Sequence, residues 1–172
     1  MEISPGWTPA TIAEMADYLS QFTTEGPYTM PEFQLDLGDR QSAARYHALD
    51  SFTQGYIEAM FFCSIGGDLA ALSEDDTGFG DLAPATLDKI QADCAAFQEA
   101  NAGALEAAYA HPEVTYDDER AGADFWYTRN GHGTGYWARE LGEPGDQLNA
   151  ATKHKWGELE LYRGDDGLLY LD

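Results

Sequence analysis

Residues 158–171 read ELELYRGDDGLLYL, two short segments on either side of a centre rich in glycine and aspartate. Alternating apolar and polar residues over 158–163 are typical of a strand with one buried face, and GDDG at 164–167 is typical of a turn. The apolar residues 168–171 then form the returning segment. The sequence therefore predicts an antiparallel β-hairpin here.

Helical spacing of apolar residues dominates the sequence before this hairpin. A first predicted helix starts at Thr8-Pro9, an N-cap followed by proline, and carries on one face Ile12, Met15, Leu19 and Phe22. A second begins after Gly38-Asp39 and runs to about Ser64, with a break near Asp50-Ser51. A third starts at Pro84 and carries on one face Leu87, Ile90, Cys94, Phe97, Asn101 and Leu105.

The remaining segments complete the predicted architecture. Residues 124–129, DFWYTR, predict a strand that ends in a turn at Asn130-Gly131, and residues 146–156 predict a short helix capped by Asp146. We therefore expect an α+β fold, with N-terminal helices packed on a small C-terminal antiparallel sheet. A single domain is expected over residues 1–172, with an acidic helical layer at 1–119 and a glycine- and aromatic-rich, β-containing layer at 120–172.

The net charge excludes several classes of partner. Nine Lys and Arg residues oppose 31 Asp and Glu residues, which gives a formal net charge of −22. Because phosphates would be repelled, we expect no direct binding to nucleic acid or to an anionic membrane. The expected partners are cations, basic proteins, or proteins that normally hold nucleic acid. No apolar run approaches the roughly 18 residues of a membrane span, and two cysteines suit a reducing compartment, so a soluble cytoplasmic protein is predicted.

The acidic residues are concentrated in residues 50–119, which hold 15 carboxylates and the single base Lys89. We expect a partner-binding acidic face formed by Glu74, Asp75, Asp76, Asp81, Asp88, Glu99 and Glu106. Two interpretations stay open. The face could imitate duplex DNA, which carries about one charge per 1.7 Å of axis, or it could be the solvated surface of a salt-adapted protein.

A second candidate site lies in residues 124–137, which read DFWYTRNGHGTGYW. In one interpretation Asp124, Arg129, Asn130 and His132 line a pocket, in which His132 is a general base oriented by Asp124 and Arg129 holds an anionic substrate. In the other, a tight turn fastens its aromatic residues onto the helices, and Arg129 and Asp124 form an internal ion pair. No catalytic residue is assigned on either interpretation.

Cofactor and metal patterns are weak. Residues 133–138 match a G-x-G-x-x-A dinucleotide pattern, but no long buried strand or βαβ unit surrounds them. The four histidines are scattered, and the acidic loop at 74–81 lacks the alternating ligands of a calcium loop. We therefore expect neither a cofactor nor a specific metal site.

The segment DFWYTRNGHGTGYW resembles a motif of a widespread family of small acidic proteins from tailed bacteriophages and prophages, D-F-W-x-T-R-N-x-H-G-x-G-F/Y-W. The helical segment at 90–101 resembles the family's D-x-x-x-F-x-x-x-N helix, and residues 162–170 resemble its Y-x-G-D-D-G-x-x-Y ending. The resemblance covers roughly residues 55–172. It implies a phage or prophage origin and supplies no catalytic residues.

By analogy with this class, small acidic phage proteins are often host-directed inhibitors, and some counter restriction or CRISPR systems by occupying a DNA-binding cleft. We therefore expect a non-enzymatic accessory protein in the cytoplasm of the bacterial host. It would bind a basic, nucleic-acid-handling host protein, as a DNA mimic in counter-defence or host takeover. The alternatives are a small enzyme or ligand-binding domain centred on Arg129 and His132, and a virion-associated structural protein.

Overall fold

The structure is a computed structural model that describes residues 33–65, 72 and 77–172. The helix predicted from Thr8-Pro9 lies outside the described residues, as do Glu74, Asp75 and Asp76. The described elements all belong to one compact unit, Gln34–Asp172. The expectation of a single domain over residues 1–172 stays a prediction.

The first two described helices are α1 (Arg40–His47) and α2 (Ser51–Ser64). Each starts at an aspartate that caps it: Asp39 accepts a hydrogen bond from the Ser42 amide at 2.8 Å, and Asp50 accepts one from the Thr53 amide at 3.0 Å. These amides have no partner within the helix, which is why aspartate is favoured there. The predicted break near Asp50-Ser51 is therefore confirmed.

The third predicted helix forms as α3 (Pro84–Ala100), followed directly by α4 (Ala102–Tyr109). Pro84 occupies the first turn, where its missing N–H costs nothing. The predicted apolar face is buried at Leu87, Ile90, Cys94 and Phe97. The two helices divide at Asn101, whose side-chain amide donates to the Phe97 carbonyl at 2.8 Å.

The predicted strand at 124–129 is wrong, because these residues form the second half of helix α5 (Asp118–Arg129). The helix starts at Asp117, which accepts a hydrogen bond from the Arg120 amide at 2.9 Å, and carries two more acids in its first turn. Ala121, Phe125 and Thr128 are buried at steps of three and four residues. Burial of this helical face outweighs the β-propensity of the aromatic run.

Helices α2 and α5 approach each other closely at two glycines. A Cβ atom added to Gly55 would lie 1.9 Å from the Glu119 carbonyl oxygen, and one added to Gly122 would lie 1.8 Å from that of Phe52. Only glycine allows backbones this close. Aromatic rings fill the space around the crossing, with Phe97 and Phe125 stacked at 4.1 Å between centroids. This pair of helices and α3 therefore enclose the aromatic core.

The remaining elements follow a short 3₁₀ turn, Tyr136–Ala138. Helix α6 (Glu143–Lys155) starts three residues before the predicted cap Asp146, after Gly142 in a left-handed conformation with φ 62°. Strands β1 (Leu161–Arg163) and β2 (Leu169–Leu171) then pair antiparallel, with Tyr162 opposite Tyr170. The predicted hairpin is confirmed.

The hairpin is attached to the start of α3. The Leu169 carbonyl accepts hydrogen bonds from the Ala83 amide at 3.0 Å and from the Thr86 hydroxyl at 3.0 Å, and Leu169 is fully buried. The fold is thus α+β, with mostly N-terminal helices and a C-terminal two-stranded antiparallel sheet. None of the helices in the described part of the chain is long and apolar enough to span a membrane.

Candidate functional site

Asp124, the predicted orienting carboxylate, is completely buried and held by an arginine. Arg139 donates from Nε and Nη2 at 2.7 to 3.0 Å, and the Tyr116 hydroxyl donates at 2.7 Å. The bond to Asp124 raises the pKa of Arg139. Burying a carboxylate without a partner costs several kcal/mol, and this pairing offsets that cost. Asp124 therefore fastens the segment that carries Arg139 and does not orient His132.

Arg129 is also buried, in a different network. Its guanidinium donates to the Tyr56 hydroxyl at 2.8 Å, to Asp93 at 3.2 Å and to the Gly157 carbonyl at 3.0 Å. It lies 5.5 Å from the centroid of the Phe125 ring and 5.6 Å from that of the Trp156 ring. These contacts occupy the Nε and Nη1 donors of Arg129 with groups of the protein itself.

The internal ion pair expected between Arg129 and Asp124 does not form. The two residues are five positions apart on α5. Five residues rotate the direction of a side chain by about 140° around a helix axis, so the two groups point to different neighbours. Side chains five positions apart point to opposite faces of a strand as well, so neither a helix nor a strand brings these two charges together, and each pairs with another residue instead.

Asn130 and His132 lie just after the end of α5. The Asn130 side chain accepts from the Leu159 amide at 2.7 Å and donates to the Trp126 carbonyl at 3.0 Å, so it joins the helix end to the segment before β1. His132 is half-buried with its ring edge-on to Tyr127, and burial lowers its pKa. No hydrogen bond in the described chain joins any two of Asp124, Arg129, Asn130 and His132. The structure does not assemble them into one pocket.

The rest of the motif fastens the following turn onto α5. The Thr128 hydroxyl accepts from the Tyr136 amide at 3.2 Å, and the Tyr136 hydroxyl donates to the Ala121 carbonyl at 2.8 Å. Gly135 has a φ of 151°, and a Cβ atom there would lie 2.4 Å from the Thr128 hydroxyl. Packing and hydrogen bonding thus explain Thr128, Gly135 and Tyr136 of the motif.

Sequence reasoning missed the partners of the two buried charges: Arg139 and Tyr116 for Asp124, and Tyr56 and Asp93 for Arg129. One signal was available for Arg139. It follows the motif directly and is one of only nine bases in the chain. The sequence indicates that Arg139 forms an ion pair, because bases are rare and carboxylates are common in this chain. It does not indicate which carboxylate; the structure shows that the partner is Asp124 on α5.

The predicted acidic face is described in part. Asp88, Glu99 and Glu106 are exposed on α3 and α4. Asp81 is half-buried and accepts a hydrogen bond from the Gly78 amide at 2.9 Å, so it also stabilises a turn. Asp88 and Glu99 are eleven residues apart, which places them on one side of α3 and about 16 Å apart along its axis.

Exposed carboxylates also occur outside this face. Of the 22 Asp and Glu residues that the structure describes, 18 are exposed, three are half-buried and Asp124 is buried. Ten of the exposed ones lie outside residues 50–119. The ion pairs among the described residues involve two carboxylates, Asp93 and Asp124. The negative charge therefore covers several elements of the described surface.

The described residues contain no group of three or more His, Cys, Asp or Glu side chains arranged to hold a metal ion. Comparison of the chain with family models, with curated proteins and with solved structures finds no match.

Proposed function

We propose that the protein is a phage-encoded, non-enzymatic accessory protein that binds a basic, nucleic-acid-handling protein of the bacterial host. The observation that supports it is the state of the described carboxylates: 18 are exposed, and the ion pairs engage only Asp93 and Asp124. Charge that is neither buried nor neutralised attracts a cationic cleft and speeds association with it.

The acidic face contributes to this attraction through α3 and α4. Asp88, Glu99 and Glu106 are exposed there, while the adjacent Lys89 is engaged by Asp93 at 3.1 Å. Duplex DNA carries about one charge per 1.7 Å, so two carboxylates about 16 Å apart cannot imitate it alone. In this proposal, mimicry of DNA requires carboxylates from several elements acting together on one partner.

The direct test is capture from host lysate with the tagged full-length protein, with and without nuclease and competitor DNA. We expect a nucleic-acid-binding protein to be captured at about 50 mM NaCl and released at about 500 mM, because salt screens exposed charges. Competitor DNA should reduce its capture. Recovery of only abundant proteins unrelated to nucleic acid, or capture unchanged by salt, would contradict the proposal.

Charge-matched variants test whether the predicted acidic face takes part. One variant carries Asp88→Asn, Glu99→Gln and Glu106→Gln; its control carries Glu158→Gln, Glu160→Gln and Asp165→Asn. Both remove three exposed carboxylates, so the change in net charge is equal. We expect the first variant to weaken binding to the captured partner more than the second. An equal loss would mean that the partner responds to overall charge and not to this face.

A further inference from the structure

Trp137 is a large aromatic residue that lies exposed directly after a buried one. More than half of its surface, 55%, is accessible, whereas Tyr136 beside it is 1% exposed. Removing a large aromatic side chain from water lowers the free energy of the system. Tryptophan is also enriched among the residues that contribute most of the binding energy in protein interfaces. An exposed tryptophan can therefore anchor a partner through burial of its ring, which an exposed carboxylate cannot do.

The backbone that carries Trp137 is fixed on both sides. Before it, Tyr136 is bound to Thr128 and Ala121 of α5; after it, Arg139 is bound to the buried Asp124. The turn itself is closed by a hydrogen bond from the Ala138 amide to the Gly135 carbonyl at 2.9 Å. A partner that contacts Trp137 would therefore have little backbone motion to restrain, which lowers the entropic cost of binding.

The chain that follows Trp137 is negatively charged. Glu140, Glu143 and Asp146 follow it closely and are all exposed. Helix α6 packs against the turn: a Cβ atom at Gly145 would lie 3.2 Å from the Tyr136 carbonyl. Arg139 is the one base in residues 137–146, and Asp124 holds its guanidinium. The turn that carries Trp137 thus packs against a helix whose first turn exposes carboxylates, which suits a cationic group.

We propose that Trp137, Glu140, Glu143 and Asp146 form a docking surface, the Trp137 surface, for an arginine-bearing segment of the protein partner. A guanidinium can stack on an indole face and donate to carboxylates at the same time, because it is planar and has five donors. The proposal rests on the proposed function and adds the surface and the chemistry by which the basic partner is recognised.

Binding to a fluorescein-labelled arginine–serine repeat peptide tests the surface without the natural partner. Fluorescence anisotropy is measured at about 150 mM NaCl, where charges more than about 8 Å apart are largely screened. Trp137→Leu removes the ring and leaves every charge in place. We expect it to bind the peptide at least about fivefold more weakly. Tyr162→Leu, which removes another exposed aromatic residue, should bind like the wild type.

Two outcomes would overturn the proposal: no measurable binding of the peptide by the wild-type protein, or equal affinities of the wild type and Trp137→Leu. Circular dichroism and the Tm establish that each variant is folded. Capture from lysate separates this proposal from the proposed function. If Trp137→Leu captures a nucleic-acid-binding partner as well as the wild type does, the Trp137 surface is wrong and the function stands. If the wild type captures none, the function fails, and the peptide result still decides the surface.

Discussion

Asp124 and Arg139 differ in the solvent exposure of their side chains. Asp124 is fully buried, whereas the Arg139 side chain is 36% exposed. Arg139→Gln leaves a buried carboxylate without its counter-ion, so we expect it to lower the free energy of unfolding by about 3–5 kcal/mol. Asp124→Asn leaves an arginine that can reach solvent and keeps a partner for Tyr116, so its cost should be about 1–2 kcal/mol. Urea denaturation of both variants at neutral pH measures the difference.

The pH response provides an independent check on this pair. In Arg139→Gln the Asp124 carboxyl loses its counter-ion, so its pKa should be raised in the folded variant. As the pH is lowered, the folded variant then binds a proton at a higher pH than the unfolded chain does. The difference in the free energy of unfolding between this variant and the wild type should therefore become smaller as the pH falls from about 7 to about 4. Lys89→Gln is the control: the Lys89 side chain is 43% exposed, so the variant should stay within about 0.5 kcal/mol of the wild type. Equal costs for Arg139→Gln and Lys89→Gln would contradict the assigned role.

At the scale of single residues, the sequence indicates which side chains matter better than it indicates their neighbours. Asp124 and Arg129 are recognisable as charged residues within an aromatic run. Their partners depend on the backbone, since a strand directs side chains with a period of two and a helix with a period of 3.6. The contacts of Arg129 with Tyr56 and Gly157 join residues 73 and 28 positions apart, a separation that one sequence does not encode visibly.

Among the elements, the close approach of α2 and α5 depends on the absence of two side chains. At Gly122 a Cβ atom would meet backbone, which cannot rotate away as a side chain could. We expect Gly122→Ala to destabilise the fold by more than about 3 kcal/mol, as severe overpacking does. Gly103→Ala is the matched control, because α4 leaves open space around that position. It should stabilise by about 0.5–1 kcal/mol, since alanine favours helices. Similar Tm values for the two variants would contradict the tight crossing.

Elements with local signals could be predicted from the sequence, and those that depend on distant packing could not. Some signals affect only the backbone within a few residues of their own position. They are the caps Asp39 and Asp50, the proline at the start of α3 and the turn of the hairpin. The aromatic residues of 124–129 taken alone favour a strand, and the helix can be recognised only together with the seven residues before them. Those residues contain the cap, the acidic first turn and Gly122, which together specify a helix against α2.

For the molecule as a whole, the charge is a destabilising force that salt should relieve. The exposed carboxylates repel one another over a Debye length of about 30 Å at 0.01 M salt, and over only about 3 Å at 1 M. We expect the Tm to rise by about 4 °C or more between these NaCl concentrations, which corresponds to over about 1 kcal/mol at this size. Differential scanning fluorimetry measures it.

The Tm at high salt separates the two interpretations of the acidity, and the triple variant Asp88→Asn, Glu99→Gln, Glu106→Gln tests whether charge repulsion contributes. With three repelling charges removed, its Tm should start higher at low salt and rise less than that of the wild type. Screening is nearly complete at about 1 M, so a Tm that levels off there indicates repulsion alone. A wild-type Tm that continues to rise at about 2–3 M KCl would instead favour a salt-adapted surface, because screening then has little repulsion left to remove. A Tm that falls with salt would contradict both.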